Sequence, residues 1–190
     1  MQLSRKSITR AAIGILEQYG LADVSMRRIA TTLGVAPGAL YWHFANKQEL
    51  IASMASHIVA PVFTTAPTDP EALCALLRQQ VLDVRDGAEV VVAAIGQPKA
   101  PIRTELAQAF EAAVEQVAPR TASPSDMRAA ASGLLHLTLG AAAVQQSGTQ
   151  LAQATGAAAE TRDVVAEHAA SVRFLLRGLM DPQAQQHPSR

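Results

Sequence analysis

An all-α protein is predicted by three features of the 190-residue chain: alanine fills 38 positions, aromatic residues make up only 4%, and β-branched residues rarely cluster. Alanine loses no side-chain entropy in a helix, so such a share favours that state. The one dense β-branched stretch, residues 90–92, is too short to seed a sheet. With 49% hydrophobic and 17% charged residues, the chain can build a core and lacks the composition of disorder. Its length allows one domain or two small ones.

Ile8, Ala11, Ala12, Ile15, Leu16 and Tyr19 keep helical spacing between Ser4, an N-cap, and Gly20, a left-handed stop. A short second helix follows Ser25, with Met26, Ile29, Ala30 and Leu33 apolar and Gly34 ending it. A third is expected over residues 36–44, where Pro37 suits a first turn and Leu40, Tyr41 and Phe44 are the apolar positions that follow. Asn46 caps a fourth, in which Leu50, Ile51, Met54, Ile58 and Val59 keep the spacing until Pro61.

Three prolines and three threonines over residues 61–70 interrupt the chain. Thr68, with Glu71 at capping-box spacing, opens a helix carrying Leu73, Leu76, Leu77, Val81 and Val84, which Asp86 and Gly87 end. A short apolar piece, residues 88–95, precedes a helix carrying Ile102, Leu106, Ala109, Phe110, Ala113 and Val117. Ser123 before Pro124 starts the next, expected over residues 126–146 and apolar nearly all round. Residues 147–161 have weak periodicity and read as a loop or frayed helix. The last helix spans residues 163–180, and residues 181–190 form a polar tail.

Sixteen basic and sixteen acidic side chains cancel overall, but unevenly along the chain. Residues 1–50 hold six basic groups against three acids, for +3, and the remaining 140 hold 10 and 13, for −3. This fits a small cationic module on a mildly acidic body. A single cysteine, Cys74, cannot form an intrachain disulfide or a multi-thiolate zinc site and is expected to pack in a helix. No apolar stretch has the length of a signal peptide or an unbroken membrane span, so a cytoplasmic protein with no membrane partner is expected.

Two short helices joined by a glycine turn, with a supporting helix before them, have the spacing of a helix-turn-helix module. Its second helix offers Pro37, Gly38, Ala39, Tyr41, Trp42 and His43 outward while Leu40 and Phe44 face in. Small residues at the start let that helix approach a duplex, and the aromatic and imidazole edges can reach phosphates or thymine methyls. Ser25, Arg27 and Arg28 on the preceding helix, and Lys47 on the following one, are expected at the phosphate backbone. Trp42 read without that context would be a packed aromatic.

Residues 24–50, V-S-M-R-R-I-A-T-T-L-G-V-A-P-G-A-L-Y-W-H-F-A-N-K-Q-E-L, resemble the DNA-binding signature of the TetR family of transcriptional repressors, above all in L-Y-W-H-F-A-N-K at residues 40–47. The resemblance implies a one-component regulator with a helix-turn-helix domain, residues 1–46, and a helical ligand-binding and dimerisation domain, residues 47–180. It extends weakly into the body at R-D-G-A-E-V, residues 85–90, and H-L-T-L-G, residues 136–140, which look like landmarks of the tetracycline-responsive branch. That branch places a metal-liganding histidine where this chain has Val91 and a carboxylate where it has Val144. Valines cannot hold hydrated magnesium, so the resemblance implies the architecture without a tetracycline-magnesium effector.

The partners so implied are double-stranded operator DNA, a small-molecule effector and a second copy of the chain. Leu135 and Leu139 on one late helix and Val172, Leu175, Leu176 and Leu179 on the other are expected to pair with their counterparts as a four-helix bundle. An effector cavity is expected to be lined by Leu77, Val81, Val84, Val91, Ile95, Phe110, Leu134 and Thr138, with His57, Gln80 and His136 as polar members. Such a lining suits a largely apolar molecule, because no acid or base is evident to pair with a buried charge. The bland alternative is that these residues fill the core, and a lone histidine in an apolar helix is more often a satisfied core residue than a ligand. His168 is expected at an interface or the surface.

No pair of histidines has zinc-helix spacing, and no glycine-rich phosphate loop or nucleophile elbow is found, so neither metal, cofactor nor enzymatic activity is expected. The reading from another class is a helical small-molecule carrier or enzyme with a structural N-terminal module. Sequence-specific duplex binding separates the two.

Overall fold

The computed structural model describes residues 3–157 and 162–181, and every regular element among them is helical. The first four helices are α1 (Arg5–Tyr19), α2 (Met26–Leu33), α3 (Pro37–Tyr41) and α4 (Lys47–Ile58), with a 3-10 turn, Leu21–Asp23, after α1. There follow α5 (Ala60–Thr65), α6 (Pro70–Leu82), α7 (Gly87–Ile95), α8 (Pro101–Val117), α9 (Pro124–Thr155) and α10 (Val164–Met180).

Local chemistry accounts for the first four boundaries. The Ser4 hydroxyl accepts from the Ser7 N–H at 3.1 Å and the Ser7 hydroxyl from the Ser4 N–H at 2.9 Å, a reciprocal cap that starts α1. Ser25 caps α2 by accepting from the Arg28 N–H at 3.2 Å, and Asn46 caps α4 by accepting from the Glu49 N–H at 2.9 Å. Gly34 ends α2 at φ +66°, where its missing Cβ matters for backbone freedom alone, since a Cβ there would meet open space. The third helix is shorter than expected and stops at Tyr41. Trp42 and His43 then form a turn, with the His43 and Phe44 N–H groups both bonding the Leu40 carbonyl at 2.9 Å.

Four boundaries differ from the sequence reading for physical reasons. The fourth helix breaks at Val59, two residues before Pro61, because proline lacks an N–H and clashes with the preceding turn; Pro61 then sits in the first turn of α5, where it is tolerated. The cap of α6 is Asp69, accepting from the Ala72 N–H at 2.8 Å, rather than Thr68. The apolar piece after Asp86 is a helix, α7. Finally, α9 runs to Thr155 and ends on Gly156 at φ +68°, although a loop was expected from residue 147. Ala and Gln carry good helix propensity without apolar periodicity, and Gln150 on this extension bonds Asp86 in the turn after α6. Residues 158–161 and the tail beyond 181, which the sequence reading treats as loop and polar terminus, lie outside the described residues.

The body is built round α9, which packs against α6, α7, α8 and α10, while α4 joins α1 to α7. A Cβ on Gly133 would lie 2.9 Å from Leu175 Cδ1, so glycine there lets α9 and α10 approach closely. By length and composition α9 could cross a membrane, yet here it is the central packing element of the body.

Candidate nucleic-acid interface and the helical body behind it

Leu40 and Phe44 are fully buried and anchor α3, so the intervening Tyr41 and Trp42 stand outward. Trp42 is 91% exposed, and Pro37 and Gly38 are exposed beside it, while Ala39, His43 and Lys47 are half-buried. Leaving a large apolar side chain in water forgoes about 1.5–3 kcal/mol of burial. Arg27 is exposed on α2, as the sequence reading expects of a phosphate contact.

Arg28, expected at the phosphate backbone, makes contacts within the chain. Its guanidinium lies 3.8 Å from the Tyr19 ring centroid and ion-pairs with Asp23, which ties α1 to α2 and leaves it engaged within the chain. Ser25 is likewise occupied as a cap, its oxygen accepting from the Arg28 N–H.

Sequence reasoning missed Arg5. This side chain lies 4.1 Å from the Phe44 ring centroid, donates to Glu49 Oε1 at 2.6 Å and donates to the His43 carbonyl. Glu49 in turn accepts from the Ala45 N–H at 2.8 Å, so α1, the end of the outward-facing turn and the start of α4 are clasped together. The partners are 44 residues apart, a separation no local pattern reveals. The Ala45 N–H, and then Arg5, hold the Glu49 carboxyl below its ordinary range. A depressed folded-state pKa means the clasp is complete above the ordinary carboxylate range and is lost as pH falls through the lowered value. Glu49→Gln is expected to melt earlier than wild type at neutral pH, and thermal melts at falling pH should see the gap close.

A second network joins this module to the body. Asp86 sits in the left-handed region at φ +55°, accepts from the Leu21 N–H at 2.7 Å and accepts from Gln150 Nε2 on α9. Arg85 donates to the Gln18 carbonyl at 3.1 Å. Gln146 donates to the Val81 and Val84 carbonyls at 2.9 and 2.8 Å and accepts from the Ala88 N–H at 3.0 Å, stitching the α6–α7 turn to α9. A Cβ on Gly87 would lie 2.4 Å from the Val81 carbonyl oxygen, so that turn admits only glycine. The sequence reading took Asp86 and Gly87 as a helix stop; they are a junction between modules.

Inside the body the expected effector lining is only partly together. Leu77, Val81, Val91, Phe110, Leu134 and Thr138 are buried in the core; Gln80, Val84 and Ile95 are half-buried. His57 and His136 correct the reading, because both are exposed, with His136 Nδ1 and the Ser132 hydroxyl 3.4 Å apart on one turn of α9. Among the described residues the buried histidine is instead His168, expected at an interface or the surface, whose Nε2 lies 3.2 Å from the Thr138 hydroxyl. Burial lowers its pKa, with the Arg78 charge adding to the effect. Arg78 is itself buried, at 9% exposure, and is a base that the sequence reading does not place near the expected cavity. It lies at the base of a groove of about 670 Å³ between α6 and α10.

Cys74 is fully buried beside this cluster, and desolvation pushes its thiol up to about 11. It is therefore expected to resist alkylation at neutral pH in the native protein and to react at a free-thiol rate once unfolded, as a thiol-reporter time course would show.

The expected interface residues require correction too. Leu135, Leu139, Val172, Leu176 and Leu179 are buried in the core of the single chain, and Leu175 packs against Gly133 across α9 and α10. The outward faces are different ones. On α9 the exposed residues recur as Ser132, His136, Gly140, Val144, Gly148 and Leu151, and on α10 as Ala170, Phe174 and Gly178. Val144 and Phe174 are 75% and 79% exposed.

The family model for bacterial regulatory proteins of the tetR family matches residues 8–54, which span α1 to α4. The chain is 33% identical to the tetracycline repressor protein class C of Escherichia coli over 47% of its own length, but that match spans only 44% of the repressor. With the class D repressor from the same organism the identity is 30% over 78% of this chain and 69% of the relative. The chain belongs to the TetR family. The crystal structure of Mycobacterium smegmatis BioQ superimposes with a TM-score of 0.80 at 35% identity, covering 98% of this chain and all of that one. BioQ has also been solved with its double-stranded DNA operator.

As a TetR-family transcriptional regulator, the protein carries the family signature on the elements that present Tyr41 and Trp42. At the two positions where the tetracycline-responsive resemblance implies metal ligands, Val91 is buried and Val144 faces outward.

Proposed function

We propose that this TetR-family regulator is a cytoplasmic, dimeric repressor: residues 1–46 read a near-palindromic operator, and residues 47–180 bind a small organic effector and dimerise. The exposure of Trp42 and Tyr41 on a helix pinned by Leu40 and Phe44 carries this reading. The 35% identity to BioQ, a protein known in complex with its operator, supports it. Pro37, Gly38 and Ala39 offer few hydrogen-bond donors, so base readout leans on Arg27, van der Waals contact and duplex shape. Tyr41 and Lys47 serve the phosphates, and His43 orients the end of the reading helix through its backbone bonds.

Dimerisation uses the outward faces of α9 and α10, where Gly140 and Gly148 allow close approach and Phe174 supplies apolar area. Two reading helices related by a two-fold axis then meet half-sites about 34–36 Å apart, or a multiple of that. Effector binding shifts the population toward a spacing that misfits the operator, and α4 together with the Asp86 junction carries the shift.

Mobility shift on the chain's own upstream region tests the proposal. Wild type is expected to prefer a palindromic site over random duplex, with affinity falling steeply as salt rises. Lys47→Ala and Tyr41→Phe are expected to weaken binding to all sequences alike, by roughly threefold to thirtyfold, about 0.6–2 kcal/mol. Salt-independent binding or no preference for a palindrome contradicts the reading.

A further inference from the structure

Among the described residues, Arg78 is a buried cation without an ion-pairing carboxylate. Its guanidinium donates to Gln145 Oε1 on α9, a neutral acceptor, and forms no salt bridge with a described residue. The carboxylate whose charge acts on it, Asp163, already accepts from the Val165 and Ala166 N–H groups at 3.2 and 3.0 Å as the cap of α10. His168, beside Arg78 and kept neutral by its burial, adds no negative charge. Isolated buried charges are costly, and proteins normally supply a counter-ion. Here the space next to the charge is an open groove of about 670 Å³ in which Arg78 is part of the wall. This volume is in the range of sites for drug-sized ligands, about 300–1,000 Å³.

We propose that the groove between α6 and α10 binds an organic acid with one negative charge and an apolar body, its carboxylate on Arg78 and its body along Leu82, Val165 and Val172. The proposal rests on the effector-responsive reading above and names the chemical class of the effector. Three features select this class. Arg78 offers a planar fork suited to a carboxylate, and Gln145 holds the guanidinium from behind. Alanines 72, 75 and 169 and the three larger apolar residues line most of the remaining wall, which suits a hydrocarbon or aromatic body. Asp69, Glu71 and Asp83 also border the groove and disfavour a second negative charge, so a phosphate ester is rejected where a monocarboxylate is accepted. Glu71 is partly neutralised by Arg173 at 3.5 Å, and Asp69 is engaged as the α6 cap.

The site also has a route to the reading helices. Gln145 contacts Arg78, and the next residue, Gln146, holds the α6–α7 turn that carries Asp86. A carboxylate that draws Arg78 from Gln145 therefore acts one residue from the junction between body and DNA-binding module.

The test is calorimetric titration of the full-length protein with decanoate, decanol and decyl phosphate, paired with operator mobility shifts in each ligand. Decanoate is expected to bind saturably at least tenfold more tightly than decanol or decyl phosphate. Arg78→Gln is expected to remove that preference over decanol, and Ala75→Trp, at an exposed wall position, to weaken decanoate and decanol together. Bound decanoate is expected to weaken operator affinity by about 5-fold to 150-fold, the usual range of allosteric coupling. Equal binding of acid and alcohol, a preference for the phosphate ester, or no binding of decanoate overturns the proposal. So does decanoate affinity unchanged by Ala75→Trp, which remains decisive should Arg78→Gln fail to fold. Operator binding without ligand is read in the same gels, so its loss would count against the regulator reading and its retention, with no decanoate response, against this site alone.

Discussion

Phe174→Glu is expected to give a folded monomer and Leu176→Glu an unfolded chain, although the two residues lie half a turn apart on the same helix. Phe174 is 79% exposed on the outward face of α10, so a carboxylate there changes protomer stability by no more than about 0.5 kcal/mol. In a dimer formed through that face, two such carboxylates would be buried across the two-fold axis, at a cost of several kcal/mol. Leu176 is 5% exposed and belongs to the contact of α10 with the body. Truncating a buried leucine costs about 2–5 kcal/mol before any charge is added. A buried carboxylate adds several more, against a total stability of about 5–15 kcal/mol. Sedimentation equilibrium together with circular dichroism separates the outcomes: a folded Phe174→Glu that stays dimeric at micromolar concentration places the interface elsewhere.

Substitution of Asp86 is expected to uncouple effector from operator while leaving both binding sites intact. Asp86 is the residue through which the turn before α7 reaches both the Leu21 N–H of the DNA-binding module and Gln150 of α9. Asp86→Ala removes both acceptors and keeps a Cβ at φ +55°, where alanine lacks the local side-chain hydrogen bonding that helps aspartate tolerate that backbone. Asp86→Gly relieves the strain but not the lost bonds, whereas Asp86→Asn tolerates the backbone and keeps one acceptor oxygen. If the junction transmits the signal, the effector-induced loss of operator affinity should fall to near unity in the alanine and glycine variants and be largely kept in the asparagine variant. Operator titrations with and without effector measure it, and an undiminished response in Asp86→Gly would assign transmission to α4 alone.

The helix-turn-helix was legible because its determinants are local. Ser4, Ser25 and Asn46 each cap a helix by bonding an N–H three positions ahead, and Gly34 meets a left-handed turn wherever the rest of the protein lies. The outward placement of Tyr41 and Trp42 follows from Leu40 and Phe44 facing in, a relation within one turn of helix. The family signature falls on the same residues, so pattern and chemistry agree there.

The body was less legible because its sites depend on which face of each helix meets which neighbour. His57 and His136 lie in apolar patterns yet point to solvent, whereas Arg78 and His168 lie among residues of mixed polarity and are buried. The leucines of α9 and α10 had the pattern of an interface, but a helix apolar on more than one side does not say which side covers its own chain. Arg5 with Glu49 and Leu21 with Asp86 are separated by 44 and 65 residues, and only packing brings them within bonding distance. Thus the sequence by itself determined the helical class, the caps of α1, α2 and α4 and the outward face of Tyr41 and Trp42, which depend on neighbours within about one helical turn. Tertiary structure alone decided the Arg78 groove, the outward faces of α9 and α10 and the Asp86 junction, because helix rotation and burial are set by residues distant in the chain.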